Sequence, residues 1–156
     1  VLKVFYVGAG GDGLSIESDL KQRAKDAYIL VGIGGRYSEI DASLVEKASG
    51  AQKALDEANQ LPQVKIKARA DANALLTQAV EDLYTALNNA ALSAADKKDV
   101  QSVYDDFKSH GNTIGRDPYN DLAAQFNRDV QKMYSGFPAG LIGGIKGGAP
   151  ALELFQ

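Results

Sequence analysis

From about residue 40 onward, apolar side chains return every three or four positions. Ile40, Leu44, Val45, Ala48, Leu55 and Ala58 form the first such stripe, with Glu39, Asp41, Glu46, Lys47 and Glu57 between them. That period gathers side chains on one side of an α-helix, whereas a strand alternates its faces at every second residue. Leu61-Pro62 ends the stripe, because proline cannot donate the next backbone hydrogen bond. A second stripe, Ala72, Leu75, Leu76, Ala79, Val80, Leu83, Tyr84 and Leu87, runs from about Val64 to Leu92. Ser93-Ala94-Ala95-Asp96 then has the spacing of a capping box with Asp in the Glu/Gln position, and Val100, Val103, Tyr104 and Phe107 give the buried side of the helix it opens.

The pattern falters twice, at His110-Gly111-Asn112 and at Asp117-Pro118, where a kink or restart is expected. Asp117 as N-cap with Pro118 in the first helical position relaunches the helix. Tyr119, Leu122, Phe126, Val130 and Met133 continue it to about Tyr134, and Ser135-Gly136 stop it. The expected fold is therefore all-α: an antiparallel bundle of three to four long helices over residues 15–136. A glycine-rich lead, 1–14, flexible or the remnant of an anchor, precedes it, and an apolar Gly/Pro-rich tail, 137–156, follows. At 156 residues the chain is long enough for one core.

Composition narrows the chemistry. A net charge of −3 with dispersed Lys and Arg gives no basic face for nucleic acid. The absence of cysteine removes disulfides, thiolate nucleophiles and thiolate metal sites together, and His110 is the single histidine. His110 has Asp105, Asp106 and Ser109 near it in sequence, but a triad needs base, acid and oxyanion site in mutual geometry. The pairs Asp105-Asp106 and Glu81-Asp82 diverge on a helix instead of sharing a face. Gly140 to Gly147 has the wrong glycine spacing for a phosphate loop, and no Ser or Thr follows Lys146. These features point to no enzyme, no catalytic residue, no metal, no cofactor and no small-molecule substrate.

One stretch reads two ways. Gly8-Ala9-Gly10-Gly11-Asp12-Gly13 matches G-x-G-x-x-G, follows a strand-like run from Leu2 to Val7 and precedes a plausible helix from Ser15 to Asp26. Ala27 to Ile33 then serves as a second strand, with Glu39 where a ribose-binding acid would lie. On this alternative Gly8, Gly10, Gly13 and Glu39 bind a dinucleotide. The rest of a doubly wound domain is missing after residue 40, so the glycines are read first as a lead into the bundle.

The order of short motifs resembles the LemA family of bacterial membrane-anchored helical proteins. Leu20-Lys21-Gln22-Arg23-Ala24, then Leu30-Val31 and Tyr37, are similar to that family's "LKxRAxxxxxLV" stretch and later tyrosine. Asn112-Thr113-Ile114, Tyr119-Asn120-Asp121 and Phe126-Asn127 are similar to its last-helix pairs. Phe137-Pro138, Leu141-Ile142, Gly144, Pro150 and Phe155 are similar to its ending. The resemblance spans roughly residues 20–156. It implies a bundle of long helices, no enzymatic activity and a structural role at a membrane, held there by an N-terminal anchor upstream of Val1.

Residues 136–150 hold six glycines and two prolines, and residues 137–156 carry the apolar candidates for an interaction: Phe137, Pro138, Leu141, Ile142, Ile145, Leu152, Leu154 and Phe155. An apolar hook of this kind has to cover something. The expected function is a non-catalytic, membrane-associated scaffold that associates with itself or docks a protein partner; a peripheral membrane binder is the other non-enzymatic alternative.

Overall fold

The computed structural model describes residues 1–10, 14–135 and 151–156. Among them every regular element is helix and none is strand. In chain order they are α1 Leu2–Val7, α2 Ile16–Gly34, α3 Ala42–Gln60, α4 Ile66–Asn89, α5 Ala94–Arg116 and α6 Tyr119–Ser135. Five are long, against the three to four expected.

The added helix is α2, which absorbs both the plausible helix and the second strand of the nucleotide-binding alternative. Leu20, Ala24, Ala27, Leu30 and Ile33 are buried along one face of it, and that burial outweighs the roughly 1 kcal/mol a mid-helix glycine such as Gly32 costs. Ser15 opens it: its hydroxyl accepts from Ser18 N at 3.2 Å, with Glu17 and Asp19 in the first turn where the helix dipole favours negative charge. Leu2–Val7 is likewise helix. Phe5 is fully buried, its ring 5.2 Å from that of Tyr119 and 5.8 Å from that of Phe155, so residues 2–7 belong to the core.

The remaining helix starts follow their caps. Asp41 Oδ1 accepts from Ser43 N at 2.9 Å to open α3, and Ser93 Oγ accepts from Asp96 N at 3.1 Å to open α5. Only one of the two predicted interruptions is present. Helix α5 runs unbroken through His110, Gly111 and Asn112, because Phe107 and Ile114 on either side are buried against the bundle. The break falls at Asp117-Pro118, where Asp117 Oδ1 accepts from Tyr119 N at 2.8 Å and Pro118 O accepts from Leu122 N at 3.1 Å.

Helix α2 packs on α3, α4 and α5, α3 packs on α4, and α1 bridges α2 to α6. Asp19, early in α2, meets His110, late in α5, at 2.8 Å; Arg36, just past α2, meets Asp96 in the first turn of α5. Those two helices therefore run in opposite directions. Lys47 Nζ to Asp82 Oδ2, 2.6 Å, joins the start of α3 to the later half of α4 in the same sense. Leu20, Leu30, Leu55, Leu76, Leu83, Leu87 and Phe107 fill the space between them.

Helix α6 departs from its expected face. Leu122 and Phe126 are 37% and 39% exposed, whereas Tyr119 and Ala123 are fully buried. The inward line is Tyr119, Asn120, Ala123 and Asn127, since α1 and residues 151–156 lie on that side.

Candidate functional site

Two asparagines on α6 hold an extended segment of the same chain. Asn127 donates from Nδ2 to Leu152 O at 2.9 Å and accepts on Oδ1 from Leu152 N at 2.8 Å. Asn120 repeats the pattern with Phe155 O and N, both at 2.7 Å. A carboxamide carries one acceptor and a donor side by side, which suits it to the N–H and C=O of a single residue. The spacing matches as well: seven helical residues advance about 10.5 Å and return to the same face. Three residues of a threefold extended chain advance about 9 Å and present their peptide groups to the same side again. Because residue 152 meets 127 and residue 155 meets 120, the segment runs back along α6.

The segment adds contacts of its own. Glu153 Oε2 accepts from Lys67 N at 2.9 Å, at the start of α4, where no local side chain supplies a cap. A carboxylate there meets both an orphan amide and the positive end of the helix dipole. Tyr119 Oη donates to Glu153 O at 2.8 Å, and burial pushes the Tyr119 phenol up to about 12. Leu152, Leu154 and Phe155 are half-buried against the core, the Phe155 ring beside that of Phe5.

The neighbouring α3–α4 connection is held by one guanidinium. Arg69 is 1% exposed; Nη1 donates to Lys65 O at 2.8 Å and Pro62 O at 3.3 Å, and Nη2 to Leu61 O at 2.6 Å and Asn59 O at 3.4 Å. Tyr6 of α1 donates to Gln63 O at 2.6 Å. Together they satisfy carbonyls along the connection, from Asn59 in the last turn of α3, where the dipole favours a cation, to Lys65 at the cap of α4.

A second polar cluster lies between α2, α4 and α5. Arg23, 4% exposed, stacks its guanidinium 3.9 Å from the centre of the Phe107 ring and donates to Thr77 Oγ1 at 2.6 Å. Burial lowers its pKa to about 10, although the carboxylates of Asp26, Glu81 and Asp19 oppose the shift. Among the described residues Arg23 Nε and Asn73 Oδ1 are buried without a protein partner, and both residues line a cleft of about 290 Å³ with Thr77, Glu81, Phe107 and Gly111. Gly111 is what admits the arginine, for a Cβ there would lie 2.0 Å from Arg23 Nη1.

Two outcomes are expected of this cluster. Gly111→Ala should destabilise the wild-type fold by about 1–3 kcal/mol through overpacking. In an Arg23→Met background the same change should be neutral or favourable, since alanine is the better helix former. Urea unfolding of the four proteins measures the coupling, and equal costs in both backgrounds would refute the clash. The second outcome concerns Asp26, whose carboxyl burial raises above the usual range, His110 opposing. A raised carboxyl contributes stability that is complete below the ordinary carboxylate pKa and is lost as pH rises through the folded value. Asp26→Asn keeps the uncharged form throughout. It should be more stable than wild type at pH 7, with the difference closing as melts are repeated toward pH 4.

The other predicted residues are accounted for as follows. Gly8 caps α1 with φ of 89°, a conformation glycine adopts freely, so Gly8 and Gly10 follow a helix and not a strand. Glu39 is committed to structure, accepting from Ala91 N at 2.9 Å. Beside it Tyr37 and Arg36 both donate to Asp96, and the Tyr37 hydrogen bond above all holds that carboxyl below its usual range. Gly13, Phe137, Pro138, Leu141, Ile142 and Ile145 lie outside the described residues. Leu152, Leu154 and Phe155 are brought together with Phe5, Asn120 and Asn127. Among the described residues no group of three or more His, Asp or Glu converges as a metal site. Comparison with protein-family models, curated proteins and solved structures gives no match.

Proposed function

We infer that the chain is a non-catalytic scaffold at a membrane, which associates with itself or docks a protein partner through the end of the bundle where residues 151–156 seat. The observation that carries this reading is the pair of asparagines gripping a main chain, a recognition device with no chemistry attached to it. The LemA-like order of motifs supports it too. Leu20, Arg23, Ala24 and Leu30 are buried, Tyr37 bonds Asp96, and Asn120, Asn127 and Phe155 meet in the groove. Several residues of that resemblance are thus ones through which the helices and the segment touch.

No helix among the described residues is long and apolar enough to cross a membrane. On the LemA resemblance, attachment is through an N-terminal anchor, an apolar run of about 20 residues. Deleting residues 137–156 should abolish self-association or partner capture. Unchanged oligomer mass together with unchanged capture would sink the docking role. Flotation of the full-length protein with vesicles tests the membrane part; a protein that stays at the bottom of the gradient with every lipid mixture is not membrane-associated.

A further inference from the structure

We propose that the cleft between α2, α4 and α5 binds a small zwitterion with the chemistry of a free α-amino acid, its carboxylate taken by Arg23 and its ammonium held by Asn73 Oδ1 and Glu81. The site is separate from the groove on α6 and does not rest on the scaffold reading.

The first ground is a guanidinium with most of its hydrogen bonds unmade. Arg23 and Arg69 are almost equally buried, at 4% and 1% exposed. Both Nη atoms of Arg69 donate to carbonyls, whereas among the described residues Arg23 donates only from Nη2, to Thr77 Oγ1 at 2.6 Å. A guanidinium presents two edges, each a parallel pair of N–H groups: Nε with Nη2, and Nη1 with Nη2. Thr77 takes one of the two Nη2 hydrogens, so one edge keeps its pair, and such a pair fits the two oxygens of a carboxylate. The described residues supply no such carboxylate. Asp26, Glu81 and Asp19 act on Arg23 through space, and none forms an ion pair with it. A buried cation without a paired anion is costly, and a ligand carboxylate removes that cost. The cation is also held in place for it, stacked 3.9 Å from the centre of the Phe107 ring and admitted by Gly111.

The second ground is an acceptor with the opposite need. Asn73 Oδ1 is buried without a partner. Thr77 does not serve it, because the threonine hydroxyl donates to Asn73 O at 2.8 Å. Asn73, Thr77 and Glu81 stand four residues apart and share one face of α4. That wall therefore sets an amide oxygen and a carboxylate against the cation on α2. A water bridging Arg23 Nε and Asn73 Oδ1 satisfies the two orphan atoms and leaves both charges unpaired, whereas an ammonium and a carboxylate on one small molecule answer all four groups. Size agrees: about 290 Å³ lies just below the range of pockets that take drug-sized ligands, and is ample for an amino acid.

The test is nuclear magnetic resonance of the labelled full-length protein, read at Arg23 Nε–H and the Gly111 amide, with the common free amino acids as probes and acetate and methylamine as half-ligands. At least one amino acid should move both resonances and saturate them below about 10 mM. Acetate and methylamine should each bind at least about tenfold more weakly, since each answers one wall only. Glu81 is exposed at the cleft, so Glu81→Gln should keep the fold; it should weaken the amino acid about tenfold and leave acetate unchanged. Asn73→Ala should act in the same direction, and if circular dichroism shows that it loses helix, Glu81→Gln carries the test alone. If no amino acid moves either resonance, the cleft holds water only and the proposal is overturned. If acetate binds as tightly as the best amino acid, the site takes a simple anion and the zwitterion is refuted. Binding that Glu81→Gln leaves unchanged refutes the assignment of the ammonium.

Discussion

Arg69→Met should lower the free energy of unfolding by about 3–4 kcal/mol in urea titrations. The estimate follows from the carbonyls it strands. Leu61 O, Lys65 O, Pro62 O and Asn59 O all take hydrogen bonds from one guanidinium; Pro62 O keeps a second donor in Lys65 N at 2.9 Å, so the loss falls on the others, at about 1–3 kcal/mol for a buried acceptor left without a donor. The connection lies near solvent, so water recovers part of the loss. Methionine keeps most of the buried volume, which isolates the hydrogen bonds from the packing. Arg69→Lys should lose roughly half as much, because an ammonium cannot span the Leu61 and Lys65 carbonyls in the way a planar fork does. A loss below about 1 kcal/mol for Arg69→Met would mean that the connection is not held by this side chain.

Asn120→Ala combined with Asn127→Ala removes four hydrogen bonds to the backbone of Leu152 and Phe155. At about 1 kcal/mol each, the expected loss is about 3–4 kcal/mol of segment docking. The effect should be local before it is global. Amide exchange should rise at Leu152 and Phe155, and also at Lys67, whose amide loses the Glu153 carboxylate when the segment leaves. Amides deep in α4, such as that of Leu83, should keep their protection. If Lys67 stays protected while Leu152 exchanges freely, the segment and the start of α4 are not coupled. Asn127→Asp alone should give about a quarter of the loss, about 1 kcal/mol, since of the four bonds it removes only the donor to Leu152 O and keeps the acceptor for Leu152 N.

Periodicity carried the helices well where burial and polarity coincided. The stripes of α3, α4 and α5 and the Ser93 cap are visible in the residues themselves. The stripe failed on α6, because Leu122 and Phe126 fit a helical period while the face that turns inward carries two asparagines. Amide side chains do not register as buried in a hydrophobic pattern, yet their seven-residue spacing was present and was a usable signal. Arg23 and Arg69 escaped for the same reason: charge marks a residue as surface until its partners are known, and those partners are a ring, a hydroxyl and main-chain carbonyls. Gly111 looked like a helix breaker and is a cavity for Arg23. Leu2–Val7 reads as strand from its Val and aromatic content, and packing of Phe5 against Tyr119 and Phe155 overrides that preference.

The carboxylate of Glu153 reaches the amide of Lys67 across 86 residues. A ribosome adding about 5–20 residues each second emits the start of α4 several seconds before it emits this cap. During that interval the newborn helix has its leading amides open to water or to a chaperone. A chain broken off before Glu153 leaves the first turn of α4 without this carboxylate cap.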